Sequence, residues 1–362
     1  MNINFFITSL GGGGAERVVC NLANFLAERQ HTIRITVLRG NDETYPLNNG
    51  VVVEYLQPVY YVEGKSLFYR LKEIRSTIQF LRHLNKDALL VSLLELPVAY
   101  SLVFKPLYSQ KLVICERNNP EFYSKGYQKI FKRFSRKADG CVCQTSTIMQ
   151  WYQLFLKSNT HTIVIPNSIN SEILKANVSE CHDKVVLTMG RLEPQKNQKM
   201  LISAFAIIAK SYPDYKLVIY GKGPLEQELK KQVSLLGIED NVDFKGFTNN
   251  IVDAYQHARF FVLTSNHEGM PNVLAEALAM GLVCISTDCG GGGAKELIQN
   301  GVNGVLIEKN DTNALAHNIK QLIENEKYAF ELANQAKTIR EKLTPDKIHI
   351  MWEDYLKILQ EA

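Results

Sequence analysis

The stretch Ser265–Cys289, SNHEGMPNVLAEALAMGLVCISTDC, reads as a loop, a helix and a strand. Its segment Gly269–Asn272 (GMPN) is typical of a helix start, because Pro271 suits the first helical position, where a missing N–H costs nothing. Gly281 predicts the end of a helix of about ten residues. The β-branched run Val283–Thr287 predicts the strand that follows.

Two carboxylates flank the predicted helix start. Glu268 lies in the preceding loop, and Glu276 lies about two turns further on. The first amides of a helix and its positive dipole end favour an anion between them, and a diphosphate fits such a site. Glu276 would then accept both hydroxyls of a ribose, and Glu268 would hold hydroxyls of a second sugar. Spacing alone favours a simpler interpretation, in which one carboxylate complements the dipole and the other is solvated.

Predicted strands and helices alternate along almost the whole chain, which indicates βαβ units and parallel sheets covered by helices. In such sheets, ligands bind beyond the carboxyl ends of the strands. The strands predicted in the first half are Asn2–Thr8, Ile33–Leu38, Val51–Leu56, Ala88–Leu94, Lys111–Cys115, Gly140–Cys143 and Thr162–Ile165. The strands predicted in the second half are Val185–Met189, Lys216–Tyr220, Val242–Phe244, Phe260–Thr264 and Val283–Thr287.

The segment E-G-M-P-N-V-L-A-E-A-L-A-M-G, which starts at Glu268, resembles the signature of retaining family 4 glycosyltransferases. Pro271, Ala275, Ala277 and Gly281 fall in register with that signature. The resemblance implies an α/β protein with the GT-B fold, in which two Rossmann-like parallel-sheet domains face a cleft. It also implies that Glu268 orients the donor sugar, that Glu276 holds the ribose, and that the backbone of Gly269, Met270, Pro271, Asn272 and Val273 binds the diphosphate.

A second motif, Gly190–Asn197 (GRLEPQKN), resembles the G-R-L-x-x-x-K-N element of the same family. The resemblance implies that Arg191 and Lys196 bind the nucleotide diphosphate and act with Glu268 in catalysis. Two fixed cations would neutralise the charge that develops on the departing diphosphate. The chain contains no Asp-x-Asp sequence, so we expect neither a metal ion nor another cofactor.

Glycine-rich loops complete the predicted donor site. Gly12, Gly13 and Gly14 belong to the run GGGGAER, which resembles the family's loop facing the diphosphate across the cleft and lacks the dinucleotide pattern G-x-G-x-x-G. Gly246 and Phe247 match family positions that bracket the base. We expect a UDP-linked sugar, although these residues do not distinguish uracil from guanine. A second glycine run, Gly290–Gly293, has no assigned contact.

Glu116 and Arg117 follow a predicted strand on the expected acceptor side. Many relatives place a histidine near the transferred sugar here, whereas this chain has Arg117 at the apparent match. Its guanidinium would suit an acceptor phosphate. Glu116 would equally serve as a structural partner for Arg117.

Basic residues are concentrated in the first half of the chain. Up to Asn170 there are 20 Lys and Arg against 12 Asp and Glu, whereas the remainder has 21 against 25. Many of these cations, with interleaved apolar residues, lie in two predicted helical segments, Ser66–Lys86 and Lys125–Lys137, and fit adsorption to anionic lipid. An ordinary solvated helix face is an equal alternative. Nucleic acid is disfavoured, because no stacking platform accompanies the charge.

The chain length of 362 residues predicts two domains. We place the boundary near Asn170, giving domains of residues 1–170 and 171–345. The GT-B resemblance implies that a helix at about 346–362 packs back on the first domain, and a simple terminal helix of the second domain is the alternative. The seven cysteines form no C-x-x-C pair, and most lie in predicted strands or helices, which indicates reduced thiols in a cytoplasmic protein. The apolar region Ala88–Phe104 is interrupted by Glu95 and Pro97, and predicts a strand and a helix rather than a membrane span.

Together these features predict a retaining glycosyltransferase. It would move a sugar from a nucleotide sugar to a glycan acceptor, of which a lipid-linked glycan at the cytoplasmic membrane face is the expected form, in cell-surface polysaccharide biosynthesis. Two alternatives stay open. A sugar-nucleotide epimerase would share the fold and the diphosphate site, and a non-catalytic partner protein would share the fold alone.

Overall fold

The protein is described here by a computed structural model that covers residues 1–11, 13–40, 45–57, 67–178 and 183–361. Its chain forms two compact units. The first comprises Met1–Asn167 and Asp346–Ala362, and the second comprises Ser168–Pro345. The division between Asn167 and Ser168 lies close to Asn170, where the sequence placed the domain boundary.

A parallel sheet forms the centre of the first unit. Within the described residues it has seven strands in the order β3-β2-β1-β4-β5-β6-β7, and every pair is parallel. Its strands are β1 Asn2–Ile7, β2 Thr32–Val37, β3 Val51–Tyr55, β4 Ala88–Leu93, β5 Leu112–Glu116, β6 Gly140–Cys143 and β7 His161–Val164. The helices of this part are α1 Gly14–Glu28, α2 Leu67–Arg82, α3 Glu95–Val103, α4 Lys125–Phe134 and α5 Ser146–Gln153.

The second unit repeats this arrangement. Its described residues form a six-stranded parallel sheet in the order β10-β9-β8-β11-β12-β13. The strands are β8 Val185–Met189, β9 Lys216–Tyr220, β10 Val242–Gly246, β11 Phe260–Leu263, β12 Val283–Thr287 and β13 Val305–Ile307. The helices are α6 Ser171–Lys175, α7 Gln198–Ser211, α8 Glu226–Leu235, α9 Ile251–Gln256, α10 Asn272–Ala279, α11 Gly293–Leu297, α12 Thr312–Glu324, α13 Glu326–Ala336 and α14 Ile339–Lys342. The predicted pair of parallel α/β domains is confirmed.

Helix α10 ends as its sequence predicts, although it has eight residues rather than about ten. Gly281 adopts a left-handed φ of +74°. Its N–H donates to Leu278 O at 3.0 Å, and the N–H of Leu282 donates to Ala277 O at 3.1 Å, which together form a Schellman motif. At the other end Pro271 precedes the first helical residue, one position earlier than predicted.

The last helix, α15 (Pro345–Glu361), contributes Asp346 onward to the first unit. Trp352 on this helix is 1% exposed. Glu353, which is 3% exposed, accepts hydrogen bonds from Arg29 at 2.8 Å and His31 at 3.0 Å, and it pairs with Lys357 at 2.9 Å. Through Arg29 and His31, this buried carboxylate attaches α15 to the turn between α1 and β2.

The apolar region Ala88–Phe104 is a strand and a helix, as predicted, because β4 is followed by α3. Across the described ranges, each helix is either too short or too polar to cross a bilayer. The cysteines in those ranges are buried, and Cys181 lies outside them.

Candidate active site

Several of the predicted donor residues follow strands of the second sheet at its carboxyl edge, where parallel α/β folds bind ligands. Lys196 follows β8 and Glu268 follows β11, strands that are neighbours in that sheet. Although these residues lie 72 positions apart, Lys196 Nζ donates to Glu268 Oε1 at 2.5 Å. The structure thus brings together two of the three side chains predicted to be catalytic.

The carboxylate of Glu268 has a defined orientation. Ser265 Oγ donates to Glu268 Oε1 at 2.6 Å, and Thr287 Oγ1 fixes Ser265 by donating to its carbonyl oxygen at 2.6 Å. The side chains of Lys196 and Glu268 are 15% and 9% exposed. Within the described residues, the side-chain hydrogen bonds to this carboxylate end on Oε1, which leaves Oε2 for a ligand.

Arg191 is placed differently from Lys196. Its side chain is 68% exposed and pairs with Glu193 at 3.2 Å. The loop that carries both cations begins at Gly190, whose φ is +153°, and a Cβ at Gly221 would lie 1.8 Å from Gly190 O. Glycines at these two positions therefore let strands β8 and β9 end in close contact. The predicted contact of Arg191 with a diphosphate stays a prediction.

Glu276 is buried on the second turn of α10, with 3% exposure. Tyr255 donates a hydrogen bond to Glu276 Oε2 at 3.3 Å, and its hydroxyl also lies 3.0 Å from Val273 O. The interpretation that spacing alone favoured, a solvated glutamate, is therefore wrong for Glu276. Sequence reasoning did not identify Tyr255, because nothing in its local pattern connects it to α10.

The glycine run Gly290–Gly293 packs against the segment Glu268–Pro271 that leads into α10, here called the donor loop. The N–H of Glu268 donates to Gly290 O at 2.9 Å. Gly292 has a left-handed φ of +73°, and a Cβ at Gly293 would lie only 1.7 Å from Gly269 O. These glycines let α11 approach the segment that leads into α10. The sequence showed the run, but only its contacts reveal this role.

The other predicted donor residues lie at loop positions. Gly12 lies outside the described residues. Gly13 precedes α1, whose first residue is Gly14, and a Cβ at Gly13 would lie 2.1 Å from Glu16 Oε2. Gly246 ends β10 with a φ of +68°, and the side chain of Phe247 is 70% exposed. Their contacts with a nucleotide stay predictions.

On the first unit, Glu116 anchors the loop after β5. Its Oε1 accepts hydrogen bonds from the backbone of Arg117 at 2.9 Å and from Tyr123 at 2.6 Å, and its Oε2 accepts one from Tyr152 at 2.8 Å. Burial raises the pKa of the Glu116 carboxyl, and the hydrogen bonds from Tyr123 and Tyr152 oppose that effect. Glu116 is 1% exposed and both of its oxygens accept hydrogen bonds, so its carboxylate stabilises the loop after β5.

Arg117 is also buried, with 6% exposure. Its guanidinium bonds to Asn167 Oδ1, which also accepts a hydrogen bond from Gln144 at 2.7 Å. Arg117 contacts Glu116 through its backbone N–H, which donates to the Glu116 carboxylate. An acceptor phosphate at Arg117 stays a prediction.

Glu95, a second carboxylate after a strand of the first sheet, was not singled out from the sequence as a site residue. Glu95 starts α3 directly after Leu94, whose φ of +69° and ψ of 166° are unfavourable for a side chain of that size. Burial, with a smaller effect of the Glu116 carboxylate, raises the pKa of Glu95. Backbone strain beside a half-buried acid at a carboxyl strand end is typical of a ligand site.

The described ranges contain no group of three or more His, Cys, Asp or Glu side chains arranged to hold a metal ion. Metal independence stays a prediction.

Comparisons with known proteins connect this geometry to a family. The model "Glycosyl transferases group 1" matches residues 170–339, and the model "Glycosyltransferase Family 4" matches residues 12–173. The chain is 31% identical over 372 residues to the GalNAc-α-(1→4)-GalNAc-α-(1→3)-diNAcBac-PP-undecaprenol α-1,4-N-acetyl-D-galactosaminyltransferase of Campylobacter jejuni, covering 100% of this chain and 99% of that one.

A second protein of Campylobacter jejuni is 29% identical over 371 residues, with 99% of each chain covered. It is the N-acetylgalactosamine-N,N'-diacetylbacillosaminyl-diphospho-undecaprenol 4-α-N-acetylgalactosaminyltransferase. The crystal structure of Anabaena HepE in complex with UDP matches with a TM-score of 0.81 and 21% identity, covering 99% of this chain and 100% of that one. This structural match supports the predicted fold.

Proposed function

The chain belongs to the family 4 glycosyltransferases, which have the GT-B fold and include enzymes of bacterial surface-glycan assembly, and on this premise we propose that it is a retaining, metal-independent transferase that moves a sugar from UDP to a lipid-linked glycan. The observation that carries the proposal is the Lys196–Glu268 pair, 2.5 Å apart and largely buried at the carboxyl edge of the second sheet. A cation and an oriented carboxylate at that position fit a negatively charged leaving group next to a sugar.

Fixed positive charge would stabilise the departing UDP. Lys196 is held by Glu268, Arg191 is exposed nearby on the same loop, and α10 begins at Asn272. The N–H groups in the first turn of a helix point outward from its start, and the helix dipole favours an anion there. Because these groups are positioned before the reaction, they stabilise the developing charge without reorganising.

The two glutamates would orient the donor. Ser265 and Lys196 both bond to Oε1 of Glu268, so Oε2 is available to accept a hydroxyl of the transferred sugar. Glu276 is held by Tyr255 near the start of α10 and would accept the ribose hydroxyls. Both glutamates would then act by accepting hydrogen bonds that position the donor, and neither would need to transfer a proton.

Relatives support the choice of donor and acceptor. Both Campylobacter enzymes carry names that specify N-acetylgalactosamine transfer to undecaprenyl diphosphate-linked sugars. HepE was crystallised with UDP. We therefore favour a UDP-linked sugar and an acceptor carried on a lipid diphosphate.

A lipid-linked acceptor would place the protein at the inner face of the cytoplasmic membrane. Five cations on and after α4, here called the basic surface, are exposed: Lys125, Lys129, Lys132, Arg133 and Arg136. Phe131, on the opposite side of α4, is fully buried. The helix thus has an apolar side in the core and a charged side in solvent, which fits peripheral attraction to anionic lipid.

A donor screen tests the proposal. We expect UDP-N-acetylgalactosamine, UDP-N-acetylglucosamine or UDP-glucose to raise the melting temperature, because saturation at 100 times Kd stabilises a protein by about 2.7 kcal/mol. The anomeric configuration of the product, read by NMR, should be α. Stabilisation by GDP-mannose alone would contradict the UDP assignment, and a β-linked product would contradict retention.

A further inference from the structure

A cavity of about 540 Å³ lies in the first unit between α2, α3 and α4. Its volume falls in the usual range for pockets that bind small molecules, roughly 300–1,000 Å³. Apolar side chains make up most of its wall, namely Ile74, Leu96, Ala99, Val103, Phe104 and Ile130. The residues that line it were not assigned to the donor site.

Polar side chains in this wall bond to one another. Glu73, which is 1% exposed, accepts hydrogen bonds from Arg39 Nη2 at 3.0 Å and from the Tyr100 hydroxyl at 2.8 Å. Burial, followed by the interaction with Glu73, raises the pKa of Tyr100, so its phenol stays a neutral donor. An apolar occupant would therefore enter without breaking hydrogen bonds.

One exposed cation lines the cavity and another adjoins its lining residues in the chain, while α2, which forms part of the wall, also exposes large apolar side chains. Arg70 on α2 is exposed and contributes to the lining, and Lys125 is exposed between the lining residues Ser124 and Gly126. On α2, Phe68 is 77% exposed and Leu71 is 56% exposed. Large apolar side chains exposed beside cations are the complement of an amphiphile with a negative head group.

We propose that this cavity binds one alkyl or polyprenyl chain of an anionic lipid, with the lipid phosphate at Arg70 and Lys125. The inference rests on the proposed lipid-linked acceptor and specifies where its chain would bind. A peptide fits less well, because many of its backbone N–H and C=O groups would face apolar side chains or the Arg39–Glu73–Tyr100 cluster, whose members already bond to one another. A free phosphate would use the two cations but not the cavity.

Chain length tests the apolar part of the proposal. Binding of octyl phosphate and decyl phosphate, both below their micelle concentrations, would be measured by calorimetry on the full-length protein. Each buried methylene should improve Kd about fourfold, so the two ligands should differ by about fifteenfold. Inorganic phosphate, which has no chain, should bind far more weakly than either. Equal affinities for all three would overturn the chain site and indicate a phosphate site alone.

Filling the cavity provides a second test. Val103→Phe should weaken decyl phosphate binding at least tenfold and remove the dependence on chain length, whereas Val52→Phe is a matched control. Val52 is 51% exposed on β3 and does not line this cavity. If Val103→Phe does not fold, as judged by circular dichroism, Ile130→Trp fills the same space from α4. Wild-type affinity and chain-length dependence in a folded filling variant would overturn the proposal.

Two further measurements test the position of the phosphate and distinguish failure of the cavity proposal from failure of the proposed function. Arg70→Ser should weaken decyl phosphate binding but not binding of the uncharged decyl maltoside; loss of both or of neither would contradict the phosphate position. Donor recognition is followed independently by UDP binding to the wild-type protein. Absent UDP binding with an intact chain-length effect would refute the proposed function only. Normal UDP binding without a chain-length effect would refute the cavity assignment only.

Discussion

Gly293→Ala is a sharp test of the donor-loop geometry. The added Cβ would lie 1.7 Å from Gly269 O and 2.7 Å from the Gly269 carbonyl carbon. Both atoms belong to backbone, so no side-chain rotation can relieve the contact. Gly293 is the first residue of α11 and has no left-handed φ, and alanine would otherwise suit it. The contact with Gly269 is therefore the main consequence of this substitution.

The expected loss follows from that distance. Nonbonded carbon and oxygen atoms normally approach to about 3.3 Å, so either α11 or the donor loop must move by about 1.5 Å. Misplacement of catalytic groups by about 1 Å costs roughly 100-fold in rate. Because Gly269 directly follows Glu268 and leads into α10, we expect kcat/KM to fall about 100-fold. UDP affinity should fall as well, and the free energy of unfolding should decrease by about 1–3 kcal/mol, as in other overpacked sites.

Gly237→Ala is the matched control. Gly237 has a φ of +63° and open space around its Cβ position, so alanine there introduces backbone strain without a clash. It should cost about 1 kcal/mol of stability and leave UDP affinity unchanged. Chemical denaturation, calorimetry with UDP and transfer kinetics would be measured on both variants. A folded Gly293→Ala protein with wild-type UDP affinity and turnover would refute the proposed coupling between α11 and the donor loop.

Four further predictions test other parts of the structure. Lys196→Met should lower kcat by orders of magnitude, whereas Lys199→Met, which removes a half-exposed cation paired with Glu228, should have little effect; equal activities would remove the diphosphate assignment. Transfer should survive excess EDTA, and a strict requirement for added magnesium or manganese would contradict the proposed metal independence. Replacing the basic surface with serines should reduce binding to anionic vesicles at low salt by roughly 1 kcal/mol per cation and leave UDP binding intact; unchanged vesicle binding would make it an ordinary solvated face. Burial raises the pKa of Glu353, but hydrogen bonds from His31, Lys357 and Arg29 outweigh that effect and lower it from 4.5 to about 2. Its contribution of about 3 kcal/mol should therefore be present above pH 4.5 and disappear as pH falls towards 2. Tryptophan fluorescence, which reports only the first unit, should show that loss in Glu353→Gln at pH 7 but not in the exposed control Glu361→Gln, and equal stabilities would contradict the assignment.

Local sequence patterns determined the elements of the fold. Alternation of strand and helix signals predicted most of the strands of both sheets, usually within one residue at each end. Pro271 and Gly281 marked the limits of α10 because their effects on backbone dihedrals act at the residue itself. The spacing of Glu268 and Glu276 placed two carboxylates around one helix start, because the helical repeat is also a local property of the chain. The resemblance to a family then supplied roles that spacing alone did not.

The tertiary structure decided which side chains meet. Lys196 and Glu268 are 72 positions apart, and they touch because β8 and β11 are adjacent in the sheet. The contact of Gly293 with Gly269, the hydroxyl of Tyr255 on Glu276 and the cavity between α2, α3 and α4 arise in the same way. Sheet order and helix packing bring distant residues together, and no periodicity along the chain records those distances. The sequence left two roles open for Glu116, and the fold shows its two oxygens bonded to the backbone amides of Arg117 and Asn118 and to Tyr123 and Tyr152.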